Sequence, residues 1–247
     1  MPLGYMLKTG EILAYYGESN IAETLFEYGK DRKVIITSDP GTLAGGGGQQ
    51  GFRSPDEIPE LVKKSLDGNK VPRKYPAFHS TVGRYGQRAQ SGADIVIDID
   101  VKNNYREAFM NGKKVIQFLD YYNVPYRIKF SGGSGPHIII PYEAFPQSMQ
   151  NKFSKTYQLV FQVIISKSKA SHIDGSFAAT SHFCRMPYSL NEITGLVSVP
   201  IMREQYNDFT PSMAEAWNVK VDKSWFQKPD ESEKEAISEM IRDSKGF

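Results

Sequence analysis

The sequence predicts a mixed α/β (α+β) protein in which a central, mostly antiparallel sheet is flanked by helices. Three stretches carry this reading. Residues 93–100, Ala-Asp-Ile-Val-Ile-Asp-Ile-Asp, form an apolar, β-branched run of the kind that makes a buried strand. Residues 104–122 place Phe109, Val115, Ile116, Leu119 and Tyr122 near the helical period. Residues 126–130 and 137–141 then read as two strands joined by the glycine-rich turn Ser131-Gly-Gly-Ser-Gly-Pro136.

The remaining elements follow in order. A short helix is expected over residues 20–28, ended near Gly29, and a strand over 33–37. Gly45 to Gly48 with Gln49 and Gln50 is the clearest low-complexity spot. It lacks the Gly-Lys-Ser/Thr ending of a phosphate loop and reads as a mobile surface loop. Asn103 or Asn104 can cap the 104–122 helix, and Val124-Pro125 lies just beyond its end. Residues 148–168 read as a helix with Phe153, Tyr157, Val160, Phe161 and Ile164 on one face. Residues 229–242 read as an amphipathic helix with an acidic first turn, which suits the helix dipole. Its Ala236, Ile237, Met240 and Ile241 are expected to pack on the domain, and Trp217 and Trp225 read as packing residues. No internal repeat is present. The 247 residues suit one domain, 1–247, within which 1–90 and 91–247 can be subdomains.

Three clusters carry chemistry. Asp98 and Asp100 sit two apart, so on a strand they leave the same face with α-carbons roughly 6.6 Å apart. Such a pair reads either as a platform for a hard cation, Mg²⁺ or Mn²⁺ rather than zinc, or as an acidic strand end. The turn at residues 131–136 joins two strands and opens no helix, which excludes a Walker loop or a dinucleotide fingerprint. Gly132 and Gly135 would let backbone N–H groups approach a phosphate, with Ser131 and His137 as further donors; the alternative is an ordinary hairpin turn. Further on come Asp174, Arg185, Ser189, Asn191 and Thr194. Asp174 is a candidate third ligand or a turn residue beside Gly175, and Arg185 could pair with phosphate through its planar fork.

Taken together and in this order, the motifs resemble those of the archaeo-eukaryotic primase superfamily. The matching residues are Asp98-Ile-Asp100, the Ser131-Gly…Gly135-x-His137 turn, and Asp174 followed by Arg185-x-Pro-x-Ser189-Leu and Thr194-Gly-Leu-Val-Ser-Val-Pro. The last segment looks most like the small catalytic subunit of DNA primase. The motifs span residues 94–201, and a weaker similarity reaches back to about residue 50 through Phe52-Arg-Ser and Pro76-Ala-Phe-His-Ser. The resemblance implies a primase-polymerase-like catalytic core whose sheet carries an acidic triad, and metal-dependent, template-directed nucleotidyl transfer that makes or extends primers. In that scheme Asp98, Asp100 and Asp174 hold two divalent cations. Ser131, Gly132, Gly135, His137, Arg185, Ser189 and Asn191 hold the nucleotide triphosphate. It further implies a single-stranded DNA template, NTP or dNTP substrates, and a large primase subunit as partner. Rival readings are an end-joining or gap-filling repair polymerase of the same superfamily, a non-catalytic nucleotide- or template-binding subunit, and an unrelated metal-dependent phosphohydrolase.

The chain departs from the family's pattern in three places. Relatives often have basic residues where Gly133 and Ser134 stand, and many have histidine in place of Asn191. The primase small subunit usually carries a zinc knuckle between its second and third motifs. Here residues 138–173 hold no cysteine and one histidine, His172, so no structural zinc is expected.

Composition narrows the setting. A net charge of +2 announces no bulk affinity for nucleic acid, so positive charge would have to be concentrated on one surface. Lys63, Lys64, Lys70, Arg73, Lys74, Arg84 and Arg88 are candidates, interleaved with Tyr75, Phe78, His79 and Tyr85, for tracking a backbone and stacking bases; a solvated surface segment is the alternative. The single cysteine excludes an internal disulfide and fits a reducing compartment. No run approaches the roughly 18 apolar residues of a membrane span, and the first residues lack a secretory pattern. A soluble, intracellular protein is expected, in the cytoplasm or nucleoid, or in the nucleus of a eukaryote.

Overall fold

The β-branched run and the hairpin form one sheet, and a second sheet sits beside it. The computed structural model describes residues 6–37, 49–68, 75–86, 89–150 and 153–244. In chain order the elements are α1 (Thr9–Gly17), α2 (Ser19–Gly29), β1 (Lys33–Thr37), β2 (Gln49–Gln50), α3 (Glu57–Gly68), β3 (Ala77–Thr81), β4 (Gly83–Tyr85), β5 (Gln90–Ala93) and β6 (Ile95–Asp98). Then come α4 (Tyr105–Tyr121), β7 (Arg127–Phe130), β8 (Pro136–Ile140), α5 (Gln147–Gln150), α6 (Phe153–Lys167), β9 (Phe183–Arg185), β10 (Pro200–Ile201) and α7 (Ala236–Ser244). The strand order is β10-β7-β8-β6 in one sheet and β2-β1-β3-β9 in the other, with β4–β5 as a separate hairpin. Every strand pairing among the described residues is antiparallel. The expected antiparallel sheet with helical flanks is therefore present, divided in two.

Each sheet has its own core. The first packs β6, β7 and β8 against α4, α6 and α7 through Ile95, Ile97, Ile116, Leu119, Ile138, Ile164 and Met240. The second joins α1, α2 and α3 to β1 and β3, and also takes in Met186, Tyr188, Leu190 and Val197 from much later in the chain. The α4 helix starts where its cap requires: Asn104 Oδ1 accepts the Glu107 N–H at 3.2 Å. Its buried positions, Ala108, Phe109, Val115, Ile116 and Leu119, keep the predicted spacing.

Asp94, just before β6, connects the two halves. It is 1% exposed and forms an ion pair with Arg32, itself 1% exposed. Arg84 donates to the other Asp94 oxygen through Nη2 at 2.8 Å and Nε at 3.1 Å, and the Tyr142 N–H adds a bond at 2.8 Å. Arg32 also donates to the Thr81 carbonyl at 3.1 Å, and Arg84 reaches Asp31 and Glu143. Burial by itself would push the Asp94 carboxyl up, but the two guanidiniums outweigh it and hold the group far below the usual carboxylate range.

Several expectations need correction. Residues 229–242 are not one helix: the Asp230 N–H bonds to Glu233 at 2.7 Å and closes a tight 3₁₀ turn at Glu231–Glu233, and α7 begins only at Ala236, where the apolar face starts. The 148–168 helix is represented by α5 and α6, with 151–152 outside the described residues. Trp225 packs in the first core and donates to the Ile128 carbonyl at 2.7 Å, but Trp217 is 56% exposed and is no core residue. The α1 and α3 helices were not anticipated. Gly45 to Gly48 lie outside the described residues. Among the described residues, no helix is long and apolar enough to cross a membrane.

Replacing Asp94 strands two guanidiniums in the core. Asp94→Asn is expected to cost roughly 3–5 kcal/mol in urea denaturation at neutral pH. Because the folded-state pKa is depressed, the carboxylate's contribution is complete above the unfolded value of about 4 and is lost as pH falls through the folded value. The stability gap between wild type and variant should therefore narrow below about pH 4.

Candidate functional site

The antiparallel register of β6 and β8 sets Asp98 opposite His137, and His137 Nε2 lies 3.3 Å from Asp98 Oδ1. Beyond β6 the chain continues as a bridge, with Ile99 opposite Ile173. The Asp174 N–H donates to the Asp98 carbonyl at 2.9 Å, and the Asp100 N–H to the His172 carbonyl at 3.2 Å. Backbone pairing thus carries Asp174 alongside Asp98 and Asp100 across more than seventy residues of sequence.

The three carboxylates are each engaged locally. Asp98 faces His137, Asp100 accepts from the Ser134 hydroxyl, and Asp174 accepts the Ser176 N–H at 2.8 Å to cap the 3₁₀ turn Gly175–Ala178. Among the described residues, no three His, Cys, Asp or Glu side chains stand close enough together to hold a metal ion. What the fold brings together is three carboxylate-bearing positions on adjacent backbones. Burial would raise the Asp98 carboxyl, but the positive charge of His137 wins and keeps it lowered, hence ionised. Burial would lower His137, and the Asp98 carboxylate reverses the sign and raises it.

The glycine-rich turn closes on itself. Ser131 N–H donates to the Gly135 carbonyl at 2.9 Å, and Ser131 Oγ accepts the Gly133 N–H at 3.2 Å and the Gly135 N–H at 3.4 Å. Gly132 has φ +78, the left-handed region that favours glycine. At Gly135 a Cβ would fall 1.8 Å from the Ile99 carbonyl oxygen, so only glycine lets this turn lie against the end of β6.

The third cluster is laced to that turn. Arg185 Nη1 donates to the Ser131 carbonyl at 2.6 Å, while Nε and Nη2 both reach Glu192 Oε2, at 3.2 and 2.6 Å. Asn191 Oδ1 accepts the Ile193 and Thr194 N–H groups at 2.9 and 3.0 Å, and Thr194 Oγ1 donates to the Gly132 carbonyl. Ser189 stands apart from this face: it is fully buried, accepts the Phe78 N–H at 2.7 Å and donates to the Leu190 carbonyl. It fastens the segment to β3.

Four polar groups at the site were not singled out in the sequence. Lys129 and Ser198 are 0% exposed, Cys184 is buried, and Glu192 is 3% exposed. Lys129 had been absorbed into the alternation of β7, where a single lysine among apolar neighbours is the one available signal. His79, opposite Arg185 in the β3–β9 pairing, is buried with Nε2 4.0 Å from Glu192 Oε1; burial and the neighbouring Arg185 and Lys129 charges push its pKa well down.

The proposed basic, aromatic surface does not survive as a unit. Arg84 is consumed by Asp94, Asp31 and Glu143, and Tyr75, Phe78 and His79 are buried in the core, so none of the four is free to meet a nucleic-acid strand. Lys63 and Lys64 are exposed on α3, and Tyr85 is half-buried. Lys70, Arg73, Lys74 and Arg88 lie outside the described residues.

Gly135→Ala is expected to destabilise the fold by ~3 kcal/mol, because the methyl meets backbone rather than a yielding side chain. Gly175→Ala, whose Cβ meets nothing within 4 Å, should change stability by less than about 1 kcal/mol. Thermal denaturation of the two variants checks the pair.

No family model matches the sequence, and no curated protein matches it. Among solved structures, the chain is similar to the polymerase domain of Ligase D from Mycobacterium tuberculosis, determined in complex with DNA. The TM-score is 0.55 at 14% identity, over 96% of this chain and 90% of that one. Asp98, Asp100, Asp174 and the glycine-rich turn therefore sit on an antiparallel α+β scaffold that shares the fold of a primase-polymerase domain.

Proposed function

We propose that this protein is a metal-dependent, template-directed nucleotidyltransferase of the primase-polymerase superfamily, which makes or extends nucleic-acid primers. The observation that carries the reading is the meeting of Asp98, Asp100 and Asp174 at one strand end, beside the Ser131–His137 turn, on a fold shared with a polymerase domain.

The donor set suits hard cations: carboxylates at i and i+2 of a strand with a third on the neighbouring backbone. Asp98, Asp100 and Asp174 would hold Mg²⁺ or Mn²⁺, which when bound supply charge neutralisation at the triphosphate and a more acidic primer hydroxyl. To ligate, Asp100 and Asp174 would release the Ser134 hydroxyl and the Ser176 N–H. His137 Nε2 and the backbone of the 131–135 turn would orient the phosphates for in-line attack. Arg185 spends three of its five N–H groups on Ser131 and Glu192, leaving two, and its charge, for an anion. Asn191 and Ser189 hold that segment in place through the turn and β3.

The likeness to a ligase's polymerase domain favours a second reading within the same superfamily, an end-joining or gap-filling polymerase that extends but does not start strands. Single-stranded DNA is the template in both readings, with NTP or dNTP as substrate. A large primase subunit belongs to the first reading alone.

Incorporation of labelled nucleotides on a single-stranded template, with and without an annealed primer and in Mg²⁺ and Mn²⁺, tests both. Unprimed product identifies a primase, and product only from a primer identifies an extending polymerase. Asp98→Ala with Asp100→Ala should lower incorporation roughly 1,000-fold or more while leaving the folded state intact. Near-normal incorporation by that variant overturns the assignment. Nucleotide or template binding without turnover in the wild type identifies a non-catalytic subunit.

A further inference from the structure

Lys129 is a fully buried cation with no carboxylate within ion-pair distance among the described residues. Its ammonium is held by neutral or soft acceptors. Nζ lies 2.9 Å from His137 Nδ1 and 2.9 Å from Ser198 Oγ, and the Cys184 sulfur completes its surroundings. Ser198 cannot be the donor in this contact, because its one hydroxyl hydrogen goes to the Phe130 carbonyl at 2.9 Å. Nζ must therefore donate to Ser198.

The same reasoning applies at His137. An ammonium has three donors and no acceptor, so Nδ1 can meet it only through a bare lone pair. Cys184 Sγ lies 3.1 Å from the same nitrogen and contributes no competing requirement, since a thiol or thiolate can accept from lysine instead. Burial would raise the Cys184 thiol, but Lys129 and His137 pull it down to about 7, which favours the sulfur as an acceptor. Burial likewise lowers Lys129 to about 8, leaving it mostly charged at neutral pH. With Nδ1 accepting, the imidazole hydrogen belongs on Nε2, the nitrogen that faces Asp98.

We infer that Lys129 is a positioning residue that fixes the His137 tautomer, so that Nε2–H is the donor presented to Asp98 and to a nucleotide phosphate. It does this from the core side of the sheet without touching substrate. The site's one imidazole donor is thereby aimed by a residue on β7, while the histidine itself stands on β8. The phosphate contact rests on the proposed nucleotidyl transfer; the tautomer does not.

Long-range ¹H–¹⁵N spectra of the ¹⁵N-labelled full chain at neutral pH test the tautomer directly, with His137 assigned through His137→Gln. The expected wild-type signature is a bare acceptor Nδ1 and a protonated Nε2. A hydrogen on Nδ1 in the wild type overturns the inference, whatever the variants do. Lys129→Met should shift the population toward Nδ1–H, whereas Cys184→Ala should leave it unchanged; the opposite pattern assigns the role to the cysteine and overturns the proposal. Should the Met variant fail to fold, Lys129→Gln, whose amide can still donate, is expected to retain the wild-type tautomer. If the wild type incorporates nucleotide, Lys129→Met should raise KM for the nucleotide roughly 10-fold, the effect of losing one hydrogen bond to a charged group, with a smaller change in kcat. A wild type without turnover sinks the functional reading and leaves the spectroscopic result standing.

Discussion

A carboxylate shut away from water stays charged only where opposite charge and hydrogen bonds replace its hydration, and Asp94 meets that condition through two guanidiniums. The requirement binds the two halves of the molecule. Arg32 comes from the segment between α2 and β1, Arg84 from the β4–β5 hairpin, and Asp94 from the start of β6. Losing any of the three leaves an uncompensated charge in the core. The arrangement places β6 relative to the second sheet, and the far end of β6 is where Asp98 and Asp100 emerge.

One strand therefore carries two kinds of acid. Asp94 is neutralised inside the protein and has no capacity left for a ligand. Asp98 is partly accessible, ionised and held by a single imidazole, and Asp100 and Asp174 are exposed. The gradient from buried ion pair to solvent-facing carboxylates runs along four residues of β6. It lets a rigid, apolar strand present negative charge at one end without destabilising its core.

The glycine-rich turn shows how backbone geometry and chemistry are tied. Gly135 allows the turn to lie against Ile99, and that contact sets the height of His137 beside Asp98. Arg185, Asn191 and Thr194 then hold the turn from the other side through its carbonyls. The site is thus assembled from three stretches, around residues 98, 131 and 174–194, each of which braces another. The second sheet contributes through β9, which places Cys184 against His137 while pairing with β3.

The sequence by itself determined the elements whose signals are local. The β6 run, the α4 period with its Asn104 cap, the β7–β8 hairpin and the strand at 33–37 depend on side-chain alternation, capping and turn chemistry within a few residues. The Asp98–Asp100 pair was legible for the same reason, since spacing alone puts both on one face. Tertiary structure decided what depends on partners distant in sequence. It paired Asp174 with Asp98 through the backbone, gave Arg84 and Asp94 to the core, and buried Tyr75, Phe78 and His79, whose composition had read as surface. It also turned Lys129 inward onto His137, because burying a cation is tolerable only where three acceptors converge, and those come from β8, β9 and the strand-like segment at 198. No local pattern encodes that convergence, as it exists only once the two sheets have met.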